Sequence, residues 1–119
     1  MSPSRVRRSG VPFDLLCASC GLPAPLPEVT FATPPSQPGI KKRRWRWDWA
    51  WPKQKVALEK NGGVWIRGRH SRGQGQIDDF EKWSEGAALG WRVIHVVPND
   101  LESTVTFDLI RRALGVRVP

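Results

Sequence analysis

The sequence lacks the features that mark membrane and exported proteins. None of its apolar runs approaches the ~20 residues that a helix needs to cross a bilayer. Its N-terminus is a mixture of serine, proline and arginine without the hydrophobic segment of a signal peptide. We therefore expect a soluble intracellular protein that does not associate with a membrane.

Cysteine and histidine are also scarce, which limits the kinds of metal site available. Cys17 and Cys20 have the spacing of half a zinc site, but no second cysteine or histidine pair completes it, because His70 and His95 are isolated. A redox pair would be expected after a strand at the start of a helix, whereas these cysteines end an apolar helical segment. We interpret both as small, partly buried residues of a first helix.

Acidic residues are too few to balance the basic ones. The 119 residues include 19 Lys and Arg against 11 Asp and Glu, a net charge of +8, and this length supports one compact domain. The positive charge is clustered, which favours a polyanionic partner, with nucleic acid as the first candidate and solubility alone as the alternative. We expect residues 1–11 to be a disordered basic arm and residues 12–119 to be a single domain.

The most informative stretch is a predicted β-hairpin in the middle of the chain. Arg44–Trp51 alternates strictly, with four tryptophans on one parity, which is typical of a strand. Lys55–Lys60 is a second β-prone run, and a proline at position 52 cannot lie within a paired ladder. The simplest hairpin therefore has residues 52–55 in the loop and Trp51 opposite Val56.

This register predicts that two carboxylates lie side by side. Asp48 faces Glu59 on one side of the hairpin, flanked by Arg46 and Asn61, and directly opposed residues share a face of the sheet. The core face consists of Trp49, Trp51, Val56 and Leu58. Two close carboxylates repel each other, so the pair needs a shared proton, a cation or room to separate. A divalent metal is the functional interpretation, and a solvated polar face is the alternative.

The rest of the chain predicts an α/β fold with a single mixed β-sheet flanked by helices. The further elements are a helix over Pro12–Cys20, a strand over Glu28–Ala32, a helix over Gln76–Leu89, a strand over Trp91–Val97 and a helix over Ser103–Leu114. The first three strands form an antiparallel meander, and the last strand joins in parallel through a helical crossover. Its apolar run suggests an interior position, with His95 as a satisfied core or edge residue.

Periodicity also predicts which helix residues point inward. For the helix over 76–89 they are Ile77, Phe80, Ser84, Ala87 and Ala88, with Asp78, Lys82 and Glu85 on the polar side. For the last helix they are Val105, Leu109, Ile110 and Ala113. The segment over 66–76 alternates arginines with glycines, a composition that suits phosphate contact, although it has no nucleotide P-loop spacing.

The element order, with an Asp ending the second strand and a Glu on the third, resembles the PD-(D/E)xK nuclease superfamily. The sequence also contains the runs Trp-Arg-Trp-Asp-Trp-Ala-Trp-Pro (45–52), Val-Ala-Leu-Glu-Lys-Asn-Gly-Gly-Val-Trp (56–65), Gly-Arg-His-Ser-Arg-Gly-Gln-Gly (68–75), Asp-Phe-Glu-Lys (79–82) and Leu-Gly-Trp-Arg-Val (89–93). Through these runs, which cover about residues 26–98, it is similar to small phage and prophage nucleases related to Holliday-junction resolvases and very-short-patch-repair endonucleases.

The resemblance implies a restriction-endonuclease-like fold and phosphodiester hydrolysis that depends on Mg²⁺, for which Mn²⁺ substitutes. Asp48, Glu59 and the backbone carbonyl of Lys60 are the implied metal ligands. The motif lysine of the family falls on the neutral Asn61, and alternation turns Lys60 to the other face. The positive charge would come from Arg46, His70 or Lys82, or from a second metal. The implied catalytic set is Asp48, Glu59, Asn61, His70 and Lys82.

We therefore expect a Mg²⁺-dependent DNA endonuclease that acts on branched or structured duplex in the cytoplasm of a bacterial or phage-infected cell. Symmetric cleavage of a junction requires two active sites, which predicts a homodimer. The alternatives are a mismatch- or sequence-specific nicking enzyme that uses His70, and a non-catalytic DNA-binding module with a residual acidic pair. The residues expected to bind DNA are Lys41, Lys42, Arg43, Arg44, Arg46, Arg67, Arg69 and Arg72.

Overall fold

The structure is a computed structural model that describes residues 10–32, 44–61 and 74–117, with the side chains of the second helix described from position 79 onward. Its elements are α1 (Phe13–Ser19), β1 (Leu26–Ala32), β2 (Trp45–Trp51), β3 (Val56–Lys60), α2 (Gln74–Ala88), β4 (Arg92–Val96), a 3-10 turn (Pro98–Asp100) and α3 (Thr104–Leu114). Within these ranges no helix is long and apolar enough to cross a membrane.

The four strands form one mixed sheet in the order β1-β2-β3-β4, which confirms the predicted α/β class. β1 pairs with β2 and β2 with β3 in antiparallel orientation, and β3 pairs with β4 in parallel. The predicted hairpin register is confirmed, because Trp51 pairs with Val56 and Trp49 with Leu58. The loop over 52–55 is closed by a 3.1 Å hydrogen bond from the amide of Lys55 to the carbonyl of Pro52.

The position of β4 differs from the prediction. It is parallel as expected, but it is the outer strand of the described sheet rather than an interior one. Its apolar run is explained by packing on both faces instead. Ile94 contacts the hydrophobic cluster on one face, and Val93 contacts the cluster on the other. An apolar strand therefore indicates that both faces are covered, and this does not require a strand neighbour on both edges.

Two hydrophobic clusters lie on opposite faces of the sheet. The first joins α1 and α3 to the sheet, and its buried members are Phe13, Cys17, Leu22, Trp51, Val56, Leu58, Val96 and Ile110. The second lies on the α2 face and has Trp47, Ala50 and Ala57 at its centre. Cys17 is fully buried, and burial raises the pKa of its thiol to about 12. Cys20 follows α1 and is exposed, so the prediction that it is partly buried in the helix is wrong.

The face that α2 turns to the sheet differs from the one that hydrophobicity predicts. Phe80 is 46% exposed, and the other described members of the predicted stripe, Ser84, Ala87 and Ala88, are exposed as well. The side chains that approach the sheet belong to Lys82 and Trp83, and Gly86 is buried beside them. The sheet determines which face of α2 points inward, because Glu59 and the indole of Trp47 lie on the side of the sheet that the helix covers.

The inward face of α3 is also rotated from the prediction at its first turn. Val105 is 46% exposed, whereas Thr106 is 1% exposed. Ser103 caps the helix by accepting a 3.2 Å hydrogen bond from the amide of Thr106. The Thr106 hydroxyl in turn donates to the carbonyl of Asp100 at 2.6 Å. A threonine can be buried here because its hydroxyl has an acceptor. Ile110 is fully buried as predicted.

Candidate functional site

Asp48 and Glu59 interlock across the β2–β3 strand pair. The regular ladder ends at the pair Trp49 and Leu58. Beyond it, Oε2 of Glu59 accepts a 3.0 Å hydrogen bond from the amide of Asp48. Oδ2 of Asp48 accepts a 2.7 Å hydrogen bond from the amide of Lys60. The two carboxylates thus bind the backbone donors of each other's strand, which places them together as the register predicts.

Glu59 is a buried acid whose negative charge is balanced by Lys82. The residue is 4% exposed, and its Oε1 accepts a hydrogen bond from Nζ of Lys82 on α2. Burial raises the pKa of Glu59 to about 7, and the charge of Asp48 adds to the rise, while the hydrogen bond and the charge of Lys82 oppose it. The site therefore contains a carboxyl group that exchanges a proton near neutral pH.

Trp47 provides the surface on which Lys82 lies. Nζ of Lys82 is 5.1 Å from the centroid of the Trp47 ring, close enough for a cation–π contact. The indole is fully buried and stacks on Phe31 with ring centroids 3.9 Å apart. Its six-membered ring is so close to Gly86 that a Cβ atom there would be 2.7 Å from two of its carbons. This close contact fixes how α2 packs on the sheet and so positions Lys82.

The location of Trp47 corrects the predicted alternation of β2. Strict alternation placed Trp47 on the face of Trp49, but it packs with Ala50 and Ala57 on the α2 face. The change of face coincides with the point where carboxylates replace the ladder bonds between β2 and β3. Within the described part of the chain, the indole Nε1 of Trp47 is the buried side-chain donor without an acceptor.

Asn61 and His95 form a second pair beside the carboxylates. Oδ1 of Asn61 is hydrogen-bonded to Nδ1 of His95 on β4, and the Asn61 amide donates to the carbonyl of Val96 at 2.9 Å. The imidazole meets the Trp83 ring edge-on, with centroids 4.8 Å apart. Burial lowers the pKa of His95, and the charge of Lys82 lowers it further, against an opposing effect of Asp79.

Sequence reasoning assigned His95 a structural role and did not place it at the site. The parallel register pairs Glu59 with His95, so both side chains lie on the α2 face of the sheet. The predicted β3–α2–β4 crossover implied that these strands are neighbours, but it left their register open. The signal that could have identified His95 is the polar residue within an otherwise apolar strand.

Several other predicted site residues lie elsewhere. Arg46 is exposed and has its Nη1 3.9 Å from Oε2 of Glu28, so its described ion pair is with β1 and not with the carboxylate pair. Nζ of Lys60 lies 6.0 Å from the centroid of Trp49, on the face opposite Glu59, as alternation predicts. Arg44 is exposed beside β2. The predicted contacts that fall outside the described residues are Lys41, Lys42, Arg43, Arg67, Arg69, His70 and Arg72.

The donor set of the site is oxygen-rich but small. Across the described ranges, no group of three or more His, Cys, Asp or Glu side chains is arranged to hold a metal. The oxygen atoms that would serve as ligands are those of the Asp48 and Glu59 carboxylates and the carbonyl of Lys60, and both oxygens of Glu59 already accept hydrogen bonds. Among the described residues, Oδ1 of Asp48 has no hydrogen-bond partner. This chemistry fits a hard divalent cation such as Mg²⁺, which commonly uses one or two carboxylates and completes its shell with water and phosphate.

No family model, no curated protein and no solved structure matches the chain.

Proposed function

We propose that the protein is a metal-dependent DNA endonuclease that hydrolyses phosphodiester bonds at the Asp48–Glu59 pair. The observation that carries the proposal is the interlocked pair itself. Two adjacent carboxylates, one buried, share a face of the sheet with a lysine amine delivered by α2. Such a combination of oxygen ligands and a cation suits the transfer of a phosphoryl group.

Mg²⁺ or Mn²⁺ would be held by Asp48, Glu59 and the carbonyl of Lys60. When bound, the ion supplies Lewis-acid polarisation of a phosphoryl oxygen and lowers the pKa of a bound water. The residues of the chain prepare this site in the absence of metal. The backbone amides of positions 48 and 60 hold the two carboxylates in place, and Lys82 balances the charge of Glu59.

Lys82 supplies the positive charge that the motif lysine supplies in the PD-(D/E)xK superfamily. Asn61 occupies that position here and is neutral, whereas Lys82 approaches Glu59 from α2. An ammonium group beside the carboxylates stabilises the negative charge that develops on the phosphate during hydrolysis. The resemblance to the PD-(D/E)xK superfamily, and with it a restriction-endonuclease-like fold, forms part of this proposal.

The substrate and assembly follow from the resemblance and from charge. The net charge of +8 favours DNA as the partner. The basic segments on either side of the hairpin, residues 41–44 and 67–72, would bind the DNA backbone. We propose branched duplex as the substrate and a homodimer as the acting form, because a junction is cut symmetrically by two sites.

A second candidate function is a DNA-binding module without catalysis. It is favoured by one observation, since both oxygens of Glu59 already accept hydrogen bonds and Lys82 neutralises its charge. A module of this kind would bind DNA regardless of metal and would not cut it.

The test is cleavage of supercoiled plasmid, of a four-way junction and of a linear duplex by the wild type and by Asp48→Asn, with and without Mg²⁺ or Mn²⁺. An amide oxygen can still accept from the Lys60 amide, so the variant should fold normally. We expect it to lose cleavage while binding DNA equally or more tightly, because a negative charge near phosphate is removed.

Asp108→Asn is the matched control, because Asp108 is an exposed carboxylate on α3 that pairs with Arg112 at 3.0 Å. It should cleave as the wild type does. Full Mg²⁺-dependent cleavage by folded Asp48→Asn would refute the site assignment. A wild type that binds DNA but cuts nothing with either metal would identify the non-catalytic module. Preference for linear duplex over the junction would favour the nicking enzyme.

A further inference from the structure

His95 stands beside Glu59 on the side away from Asp48. The strand order places β3 between β2 and β4, and the parallel register pairs Glu59 with His95. Neighbouring strands are about 4.8 Å apart, so the imidazole and the carboxylate project from adjacent positions on one face. The α2 face of the sheet thus carries Asp48, Glu59 and His95 in a row.

Asn61 determines which nitrogen of His95 carries the proton. Its Oδ1 is the atom that contacts Nδ1 of the imidazole. An amide oxygen can only accept a hydrogen bond, so Nδ1 must donate. In the neutral ring the proton then lies on Nδ1, and Nε2 presents an unshared electron pair. The edge-on Trp83 ring restricts the rotation of the imidazole.

The surroundings of His95 disfavour its charged form. An aspartate at position 61 would stabilise the imidazolium, whereas the amide of Asn61 has no net charge to do so. Burial and the ammonium of Lys82 lower the pKa of His95, and these effects exceed that of Asp79 on the same helix. The residue is exposed, so solvent can reach the ring.

We infer that His95 is the general base of the site and that Asn61 is the positioning residue that orients it. The inference deepens the proposed nuclease function and rests on it. Nε2 of His95 takes a proton from a water molecule whose oxygen attacks the phosphorus atom. The bond from phosphorus to the leaving nucleoside oxygen breaks, and that oxygen is protonated by solvent. The reaction is a hydrolysis and needs no oxidant or reductant.

The first experiment is chemical rescue of His95→Ala. A general base contributes roughly 10²–10⁴-fold to a rate, so we expect kcat of the variant to fall by at least about 100-fold with little change in KM. Added imidazole should restore kcat by about tenfold or more, because the truncated and exposed position admits it as a replacement base. Asp48→Asn with the same imidazole is the matched control and should show no restoration.

The second experiment tests the positioning role of Asn61 and does not depend on activity. Nitrogen-15 NMR of the His95 ring should show the Nδ1–H tautomer in the wild type. Asn61→Asp keeps an acceptor but stabilises the imidazolium, so it should show the same tautomer, and is compared in kcat, only at a pH high enough to deprotonate the ring. Asn61→Leu should lose this preference and should lower kcat more than Asn61→Asp does. Thermal melting of each variant verifies that it is folded.

The outcomes separate this inference from the proposed function. A wild type that cuts no DNA with Mg²⁺ or Mn²⁺ overturns both. A wild type that cuts, together with a His95→Ala variant whose kcat is within about threefold of it, overturns only the general base. Loss of activity in His95→Ala without restoration by imidazole, or an Nε2–H tautomer in the wild type, also overturns it.

Discussion

Glu59 is an ionisable residue in a buried position, where charged side chains are rarely found. It is 4% exposed, yet it keeps partners for both oxygens, one from the backbone of β2 and one from Lys82. A buried carboxylate without partners would instead be strongly destabilising. Burial still disfavours the charged form of the carboxyl group, and the pKa of Glu59 is therefore raised to about 7.

This pKa makes stability depend on pH in a defined direction. The folded pKa of Glu59 is above its ordinary value of 4.5, so the protonated form is favoured by folding. Stability from this group is complete below pH 4.5 and is lost as the pH rises through about 7. Relative to Glu59→Gln, the wild type should lose up to about 3 kcal/mol of unfolding free energy across that window, measured by urea unfolding with EDTA present.

Two further variants sharpen that measurement. Glu85→Gln changes an exposed carboxylate on α2 and should follow the wild-type profile. Lys82→Met removes the cation that opposes the rise, so the loss of stability should move to higher pH. Parallel pH profiles for the wild type and Glu59→Gln would contradict a buried titrating Glu59.

At the scale of elements, the contact between β2 and α2 decides the geometry of the site. The indole of Trp47 is held between Phe31 and α2, and Gly86 is the residue that lets the helix approach it. A helix placed further from the sheet would withdraw Lys82 from Glu59. A glycine inside a helix, which is unfavourable by local propensity, is explained here by packing.

Gly86→Ala should therefore destabilise the protein although alanine is the better helix former. The new Cβ would lie 2.7 Å from two carbons of the buried Trp47 ring, so either the ring or the helix must move. Overpacking of this kind costs about 1–3 kcal/mol, which exceeds the gain of about 1 kcal/mol in helix propensity.

Ser84→Ala is the matched control, because Ser84 is exposed on the same helix. Its unfolding free energy in urea should change by no more than about 0.5 kcal/mol, the usual range for surface substitutions. A Gly86→Ala protein as stable as the wild type would mean that α2 does not pack on Trp47 as described.

At the scale of the whole molecule, we expect charge to govern binding to DNA, the substrate that we propose. The net charge of +8 attracts a polyanion at long range, and each phosphate neutralised by the protein releases counterions. If about six basic residues contact phosphates, log K should fall with log salt at a slope near −5, from roughly −0.9 per phosphate. The residues concerned are Lys41, Lys42, Arg43, Arg44, Arg67, Arg69 and Arg72.

The slope is measured by DNA binding over a range of salt concentrations. Arg67→Gln should reduce its magnitude by about 1, because one phosphate contact is removed. Arg112→Gln is the control, since Arg112 lies on α3 and pairs with Asp108. It should leave the slope unchanged. A wild-type slope shallower than about −2 would show that the basic segments do not form the DNA surface.

Local sequence determined the element order, the mixed sheet and the register of the hairpin. Alternation in β2 and the proline at position 52 limit the loop to four residues, and a loop of known length fixes which residues face each other. The adjacency of Asp48 and Glu59 follows from that register alone. Short-range patterns are reliable here because each rests on contacts between residues close in the chain.

Only the tertiary structure decided which face of α2 meets the sheet, and with it the composition of the site. Hydrophobic periodicity predicted an inward face that contains Phe80, which is exposed. The inward face instead carries Lys82, which pairs with the buried Glu59, and Gly86, which leaves space for the ring of Trp47. His95 joined the site through the register of two strands that are distant in sequence. These choices depend on partners in other elements, and no periodicity within a single segment contains that information.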